Sequence, residues 1–258
     1  MNQRTRMNSQ IEHCQFLSWD SDFFGLRIGK ITEGTLSPSV IDAILAWSSA
    51  NKIDCLYYIA DSDDIQSIRL AEENGFRNVE IRISYELSLD GWDPDTRKIR
   101  NPDVHLRIAR SDDMQILIDM STDSFVNSRW YFDPDFPKDK TRAYYPIWIK
   151  NSVNGFADFV LVAELKGQVM GYISGNREKD GLDGTLEIMA VRPEARGLGI
   201  GHELFSGGLD WHVRNGTKNI VTNTQGRNIT TNRMLIRLGL IIKDVQIYYH
   251  KWFSNQVS

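Results

Sequence analysis

A glycine-rich segment that follows a short apolar run is the part of this sequence best suited to chemistry. The apolar run at residues 186–191 leads into Arg196 and the glycines of residues 197–201, and apolar residues then recur at helical spacing up to Trp211. This order predicts a strand, a glycine loop and a helix. Glycine lets a backbone approach a ligand closely, and free N–H groups at a helix N-terminus attract anions. The segment therefore predicts a site for a phosphate or pyrophosphate group.

Two familiar phosphate-binding motifs do not fit this segment. A Walker A loop needs lysine and then serine or threonine after its last glycine, and His202 follows Gly201 here. The dinucleotide motif GxGxxG needs two residues in its second gap, and only Ile200 separates Gly199 from Gly201. A glycine-rich turn with a purely structural role is the alternative. Local charge favours an anionic ligand, because residues 192–237 carry seven Lys or Arg and three Asp or Glu.

The segment does match the pattern RxxGxG after a strand that ends in Ala-Val-x-Pro, at residues 196–201 and 190–193. In these motifs the sequence resembles the GNAT acetyltransferase superfamily. The resemblance implies that backbone amides of residues 197–202 hold the pyrophosphate of acetyl-coenzyme A and that residues 189–191 pair with its pantetheine arm. The implied cofactor contacts in this segment are Met189, Ala190, Val191, Arg196, Gly197, Leu198, Gly199, Ile200, Gly201 and His202.

Further segments resemble the dTDP-fucosamine acetyltransferases and related amino-sugar N-acetyltransferases within that superfamily. They are WDSDFFG at residues 19–25, SRW at 128–130 with WI at 148–149 and NG at 154–155, and TQGRN at 224–228. The resemblance implies transfer of acetyl from acetyl-coenzyme A to the amino group of a nucleotide-linked amino deoxy sugar. It also assigns Asn228 and Arg233 to the cofactor.

The base that takes the proton of the attacking amine is expected to be Glu187. This residue lies on the strand before the glycine loop, and strict alternation puts it on one face with Met189 and Val191, where a carboxylate could act through water. A structural pairing of Glu187 within the sheet is the alternative reading.

The sequence has no general acid at the position where the resemblance predicts one to protonate the leaving thiolate. The tyrosine of these sugar acetyltransferases falls on Leu235, which has no proton to give. Tyr248 and Tyr249 on the last predicted strand are the candidates, against simple aromatic packing, and alternation lets at most one of them face the cofactor. A thiol has a pKa near 8.5, so its thiolate is a fair leaving group at neutral pH. An enzyme that lacks the acid can therefore still transfer the acetyl group, although more slowly.

The acceptor side is predicted around Arg129, Trp130, Tyr131 and Asp133. An arginine can bind a substrate phosphate bidentately and an aromatic ring can stack on a base, as a nucleotide sugar requires. Core packing is the alternative for the aromatic residues of this region, and it is the favoured one for Trp148.

Two α/β domains are predicted, because residues 90–103 are rich in turn formers. The first covers residues 1–100, and the second, residues 101–258, has a GNAT fold with a mixed, mostly antiparallel sheet that splays beside Val191 and is flanked by helices. Spacing predicts helices at 38–50 and 64–74 and strands at 55–60, 159–165 and 169–174. Residues 54–85 resemble residues 219–248 weakly, which suggests that the first domain is a partial GNAT-like half.

Composition excludes several classes of protein and partner. The 258 residues are 41% hydrophobic and carry a net charge of −4, so attraction to nucleic acid or to an anionic membrane is not expected. No apolar run approaches the roughly 20 residues of a membrane helix, and the polar residues 1–10 do not look like an export signal, so a cytoplasmic protein is expected. The five histidines lack metal-ligand spacing, so no metal is assigned.

The remaining expectations concern mechanism, partners and alternatives. Cys14 and Cys55 are expected to be reduced and are poor candidates for an acyl-cysteine, which favours direct transfer in a ternary complex. A small-molecule amino sugar is the expected partner, and a homodimer is allowed. The alternatives are a GNAT enzyme for another amine, such as a small metabolite or a protein N-terminus, and a non-catalytic acyl-coenzyme A-binding module.

Overall fold

The helices and strands follow the local signals of the sequence closely. In the computed structural model, which describes residues 13–253, the elements of the first part are β1 (Cys14–Phe16), α1 (Ser18–Phe24), β2 (Ile28–Ile31), α2 (Pro38–Ala50), β3 (Cys55–Asp61), α3 (Ile65–Glu73) and β4 (Arg77–Ser88). Then come β5 (Val104–Ile108), α4 (Met114–Thr122), α5 (Arg129–Phe132), α6 (Lys138–Asn151), β6 (Phe159–Leu165), β7 (Gln168–Arg177) and β8 (Asp183–Val191). The last elements are α7 (Ile200–Arg214), β9 (Asn219–Gln225), α8 (Ile229–Arg237) and β10 (Ile241–Trp252).

Capping residues explain where the first long helices begin. The Ser37 side chain accepts a hydrogen bond from the Val40 amide, and Pro38 occupies the first turn of α2. The Asp64 carboxylate accepts from the Ser67 amide and caps α3. Both caps satisfy amides that have no partner inside the helix.

The first of two compact units comprises residues 13–79 and 246–253 of the described chain. In its sheet β2 pairs antiparallel with β1 and parallel with β3, and β3 pairs antiparallel with residues 246–252 of β10. Its core joins Ile44 of α2 and Ala71 of α3 to Leu56 and Tyr249 of the sheet.

The second unit, residues 80–245, contains the glycine loop. Its strands lie in the order β4, β9, β8, β7, β6, β5, and only β8 and β9 are parallel. One core packs α7 and α8 against the sheet, and another packs α4 and α6 against it. The predicted mixed, mostly antiparallel sheet flanked by helices is therefore confirmed.

The boundary between the units differs from the predicted division at residue 100. Residues 80–100 belong to the second unit, and residues 246–253 belong to the first. The polar stretch that predicted a linker is held by side-chain hydrogen bonds, because Trp92 Nε1 and Arg97 Nε both donate to the Asp210 carboxylate of α7, at 2.9 and 2.7 Å. Turn-forming residues predict a loop, but they do not show whether the side chains of that loop form hydrogen bonds with distant residues.

The weak internal resemblance has a structural counterpart. Strands β3 and β9 have seven residues each, and helices α3 and α8 have nine each. Gly75 and Gly239, each two residues beyond its helix, both have positive φ, +78° and +91°. The two strand–helix motifs are thus built alike.

Two absences apply to residues 13–253 only. No helix there is long and apolar enough to span a membrane, and no group of three or more metal-ligating side chains occurs. The polar residues 1–10, on which the expectation of no export signal depends, lie outside the described residues.

Candidate functional site

The glycine loop presents free backbone amides at the start of α7. Gly197 and Gly199 have φ of +80° and +83°, in the left-handed region that favours glycine. Gly199 is the N-cap of α7, and its carbonyl accepts the first helical bond, from the Glu203 amide. The amides of residues 200–202 precede that bond, so they have no acceptor inside the helix. Together with the helix dipole they form an anion-binding corner.

Strands β8 and β9 diverge beside this corner. Their pairing covers only residues 183–185 of β8, and the last contact is the Thr222 hydroxyl donating to the Leu186 carbonyl at 2.7 Å. Strand β8 continues to Val191 without β9 at its side. The backbone edge of residues 187–191 is therefore available to a ligand, as the predicted splay beside Val191 requires.

A cleft of about 740 Å³ opens at this divergence. It is lined by all the predicted cofactor residues except Leu198, which is half exposed. Among the described residues, four arginines line the cleft, whereas the one lining carboxylate, Asp123, pairs with Arg142. The arginines are Arg100, Arg196, Arg233 and Arg237. The cleft therefore suits a ligand with several negative charges.

Helix α8 forms the opposite wall. Its N-cap, Asn228, accepts from the Thr231 amide at 3.3 Å and donates to the Thr224 hydroxyl at 3.3 Å, so the side chain is fixed at the cleft. Met234 of the same helix lines the cleft, whereas Leu235 is 1% exposed and lies in the core. No tyrosine is present among the described residues that line the cleft.

Neither candidate tyrosine is among the cleft residues. Tyr248 and Tyr249 belong to the first unit, whereas every residue that lines the cleft belongs to the second. The Tyr249 hydroxyl donates to the Glu72 carboxylate at 3.2 Å, and the ring stacks on Tyr58. Burial is the largest cause that raises the pKa of Tyr249 to about 12, so its hydroxyl holds its proton firmly. The register of β10 on β3 places this side chain in a hydrophobic core.

Glu187 lies at an irregularity that the sequence did not reveal. The register of β7 against β8 shifts between Ile173 and Gly175, and Leu186 and Met189 both contact the core beneath α7. Residues three apart cannot share a face in a regular strand, so the alternation that grouped Glu187 with Met189 and Val191 is wrong. One Glu187 oxygen accepts from the Asn176 side chain, Nδ2, at 2.8 Å, and the other is buried without a partner among the described atoms.

The predicted acceptor residues divide into buried and exposed members. Trp130 and Asp133 are 6% and 3% exposed, and the Trp130 ring packs on Tyr144 with centroids 4.1 Å apart. Tyr131 is 43% exposed, and the Arg129 guanidinium lies 4.1 Å from the Trp130 ring centre. Tyr131 is therefore the exposed member, whereas Arg129 is half-buried and packs on the Trp130 ring.

A buried carboxylate surrounded by arginines adjoins this region and was missed by the sequence analysis. Glu80 is 5% exposed and accepts from the Arg129 backbone amide, and burial raises its pKa while Arg129, Arg227 and Arg82 oppose that rise. The Arg227 guanidinium lies 3.6 Å from the ring centre of Phe132. Three guanidinium groups therefore act on this one buried carboxylate.

Residues 97–101, which we call the strap, were also missed as part of the site. The Glu203 carboxylate of α7 accepts from Arg97 Nη1 at 2.9 Å and from the Arg100 amide at 2.6 Å. The Asn101 side chain donates to the carbonyl of Leu198, in the glycine loop, at 2.8 Å. The strap contains no sequence motif, and only its contacts with residues about a hundred positions away show that it belongs to the site.

Comparison with known proteins is consistent with this geometry. Residues 126–240 match the model of the acetyltransferase (GNAT) family. The spore coat polysaccharide biosynthesis protein SpsD of Bacillus subtilis (strain 168) is 29% identical over 146 residues, which are 57% of this chain and 50% of that protein. The chain thus spans about half the length of this curated relative.

Solved structures share the fold. A GCN5-related N-acetyltransferase from Sphaerobacter thermophilus superposes with a TM-score of 0.69 at 15% identity, over 93% of this chain and 76% of that one. A tandem GNAT protein from the clavulanic acid biosynthesis pathway gives 0.63 at 13% identity, over 88% and 76%. Residues 126–240 thus match the GNAT acetyltransferase family in sequence, and the solved structures show that the chain shares the GNAT fold.

Proposed function

We propose that this protein transfers an acetyl group from acetyl-coenzyme A to the amino group of a nucleotide-linked amino deoxy sugar, by direct transfer in a ternary complex. The observation that carries the proposal is the cleft between the diverging ends of β8 and β9, with the glycine loop at its mouth. Such a cleft offers both an anion-binding corner and a free strand edge.

The glycine loop supports the cofactor part of the proposal. Amides of residues 200–202 point toward a pyrophosphate, and Arg196 and Arg233 supply positive charge on either side of the cleft. The free edge of Met189–Val191 offers backbone hydrogen bonds to the amides of a pantetheine arm. These contacts hold a thioester carbon near the end of β8.

The transfer itself requires two proton movements. The amine nitrogen attacks the thioester carbonyl carbon, the new C–N bond forms, and the C–S bond breaks to release coenzyme A. Glu187 lies two residues before the cleft residue Met189 and is not itself among the residues that line the cleft, so it is proposed to take the proton of the nitrogen through water, at the oxygen that has no hydrogen-bond partner among the described atoms. Asn176 holds the other oxygen and fixes the carboxylate.

The leaving sulfur departs without a protein acid in this proposal. Leu235 is buried in the core, and no tyrosine is found among the described residues that line the cleft. A thiol with a pKa near 8.5 leaves readily as the thiolate at neutral pH and then takes a proton from water. Transfer is therefore expected to be slow rather than absent.

An anionic acceptor is supported by the charges beside the cleft. Arg227 directly precedes the cleft residue Asn228, Arg129 lies two positions after the cleft residue Asn127, and both act on Glu80. A diphosphate can bind such guanidinium groups bidentately, and the exposed ring of Tyr131 can stack on a base. The polysaccharide role in the name of the relative supports a sugar as the acceptor.

Thiol release from acetyl-coenzyme A tests the proposal. The acceptors are dTDP- and UDP-linked 3-amino and 4-amino deoxy sugars, the same amino sugars without a nucleotide, and simple amines. We expect turnover with a nucleotide-linked sugar, loss of turnover in Glu187→Gln, and wild-type turnover in Glu178→Gln, a change in an exposed loop. Turnover only with simple amines would point to a GNAT enzyme for another substrate.

A non-catalytic acyl-coenzyme A-binding module is the second candidate, because Leu235 stands where the family places a tyrosine. Calorimetry with acetyl-coenzyme A separates the two. Binding without thiol release for any acceptor would favour the module.

A further inference from the structure

A second, smaller cavity lies between helices α7 and α8 and the segment that contains the strap. Its volume is about 300 Å³, and it shares Arg100, His202 and Arg237 with the cleft. The lining residues of that segment, which fall within residues 91–100, lie outside residues 126–240, the part that matches the family model. The other lining residues are Gly91, Trp92, Asp93, Thr96, Arg97, Lys98, Ser206 and Leu238.

Two buried polar groups of this cavity have no hydrogen-bond partner among the described atoms. Ser206 is 1% exposed, and its hydroxyl makes no hydrogen bond. His202 Nδ1, one helical turn earlier on α7, is also buried, and the carboxylate oxygen Oε1 of Glu203 lies 3.6 Å away, beyond hydrogen-bond distance. Residues four apart share a helix face, so both groups belong to the same wall. Buried polar groups normally have partners, so this wall is suited to a polar ligand.

The charges around the cavity are unbalanced. Arg97 is neutralised by Glu203 and Asp210, at 2.9 and 2.7 Å. Lys98, Arg100 and Arg237 form no ion pair with a described carboxylate.

Asp93, the one carboxylate among the described residues that line the cavity, offsets only one of these three positive charges. Asp93 accepts hydrogen bonds from the Asp95 amide and the Thr96 hydroxyl, which hold it within its own turn. Burial and the nearby Arg100 lower the pKa of His202, so the imidazole is neutral and adds no charge. A positive excess therefore remains on Lys98 and Arg100 of the strap and on Arg237.

We propose that this cavity binds a phosphate monoester, with Ser206 as a donor and Lys98, Arg100 and Arg237 as the balancing cations. A dianion with three oxygens can use several donors and cations at once, and it leaves no buried hydroxyl unpaired. Two sources share this chemistry. One source is the 3′-phosphate of coenzyme A. This source depends on the proposed function, and the three residues that line both the cavity and the cleft support it. The other source is free phosphate.

The experiment compares coenzyme A with 3′-dephospho-coenzyme A by titration calorimetry, and adds inorganic phosphate in a thermal melt. Wild type is compared with Ser206→Ala and Lys98→Ala, and with Lys179→Ala, which removes an exposed charge elsewhere. If the 3′-phosphate is the ligand, wild type binds coenzyme A about tenfold more tightly than the dephospho form, since a charge-assisted hydrogen bond of this kind is worth about one power of ten. The preference disappears in Ser206→Ala and Lys98→Ala and persists in Lys179→Ala.

If free phosphate is the ligand, the two coenzymes bind wild type equally, and inorganic phosphate raises its melting temperature but not that of Ser206→Ala. The proposal is overturned if the variants keep the wild-type preference and phosphate has no effect that depends on Ser206. The thermal melt with phosphate does not require coenzyme A. Failure of the proposed function would therefore be seen separately, because neither coenzyme would then bind in the calorimetric titration. Melting temperatures without ligand show that each variant is folded.

Discussion

Replacing Glu203 with alanine removes the carboxylate that ties the strap to helix α7. The carboxylate is 3% exposed and accepts from Arg97 and from the backbone amides of Arg100 and Asn101. Breaking a buried pair by removing one partner costs about 3–5 kcal/mol. Asp210 still binds Arg97, so we expect the lower end, about 3 kcal/mol. In a unit of this size that lowers the melting temperature by about 6–12 °C.

Glu194, which precedes the glycine loop, is a matched control. Glu194 is 60% exposed and lies 3.5 Å from Arg192, and a surface pair of this kind contributes about 0–1 kcal/mol. Thermal melts of Glu203→Ala and Glu194→Ala, with calorimetric titration of acetyl-coenzyme A, measure the difference. We expect weaker binding of acetyl-coenzyme A only in Glu203→Ala. Without the carboxylate the strap is no longer fixed, so the Asn101 side chain loses its hydrogen bond to the Leu198 carbonyl in the glycine loop. Equal melting temperatures for the two variants would refute the reasoning.

The Glu203 contribution also has a definite pH dependence. Although burial opposes it, hydrogen bonds from Arg97, Arg100 and Asn101 lower the pKa of Glu203 below its ordinary value of 4.5. A carboxylate with a lowered folded-state pKa contributes fully above its unfolded pKa and loses that contribution as the pH falls through the folded value. The stability difference between wild type and Glu203→Gln should therefore be constant near pH 7 and shrink below about pH 4.5.

Four further changes test separate parts of the site. Gly199→Ala puts a side chain at φ +83°, which costs about 1–2 kcal/mol and should weaken acetyl-coenzyme A binding, measured by calorimetry; unchanged affinity would contradict the role of this loop. Glu187→Gln should lower kcat by about 10²–10⁴ without changing the affinity for acetyl-coenzyme A; a normal kcat would remove Glu187 as the base. Arg227→Ala should raise KM for a nucleotide-linked sugar and leave that for a simple amine unchanged, and an equal rise for both would argue against phosphate contact. Tyr249→Phe should keep normal turnover and lose about 1 kcal/mol of stability with its bond to Glu72, whereas loss of turnover would restore it as the acid.

Local elements were predictable because their signals are local. The helix expected at 38–50 is Pro38–Ala50, and the strand expected at 159–165 is Phe159–Leu165. A serine cap, a first-turn proline and the period of apolar residues fix such bounds without reference to the rest of the chain. The glycine loop was predictable for the same reason, since backbone conformation and helix start are set within a few residues.

Features that depend on distant contacts were not predictable from one sequence. The role of residues 90–103 depends on Asp210 and Glu203, more than a hundred positions away. The face of Glu187 depends on a register shift against β7, which no spacing within β8 reveals. Tyr249 is buried because its strand pairs with β3, nearly two hundred residues earlier. Pairing partners of this kind, rather than propensities, decide which candidate side chains meet.

Mass spectrometry of the reaction products tests the central claim most directly. The protein is incubated with acetyl-coenzyme A and a dTDP-linked amino deoxy sugar, and the acetylated nucleotide sugar and the released coenzyme A are quantified together. We expect the two products to appear in equal amounts, and both to form about 10²–10⁴ times more slowly in Glu187→Gln. Binding of acetyl-coenzyme A with no acetylated sugar, across the panel of nucleotide-linked acceptors, would contradict it.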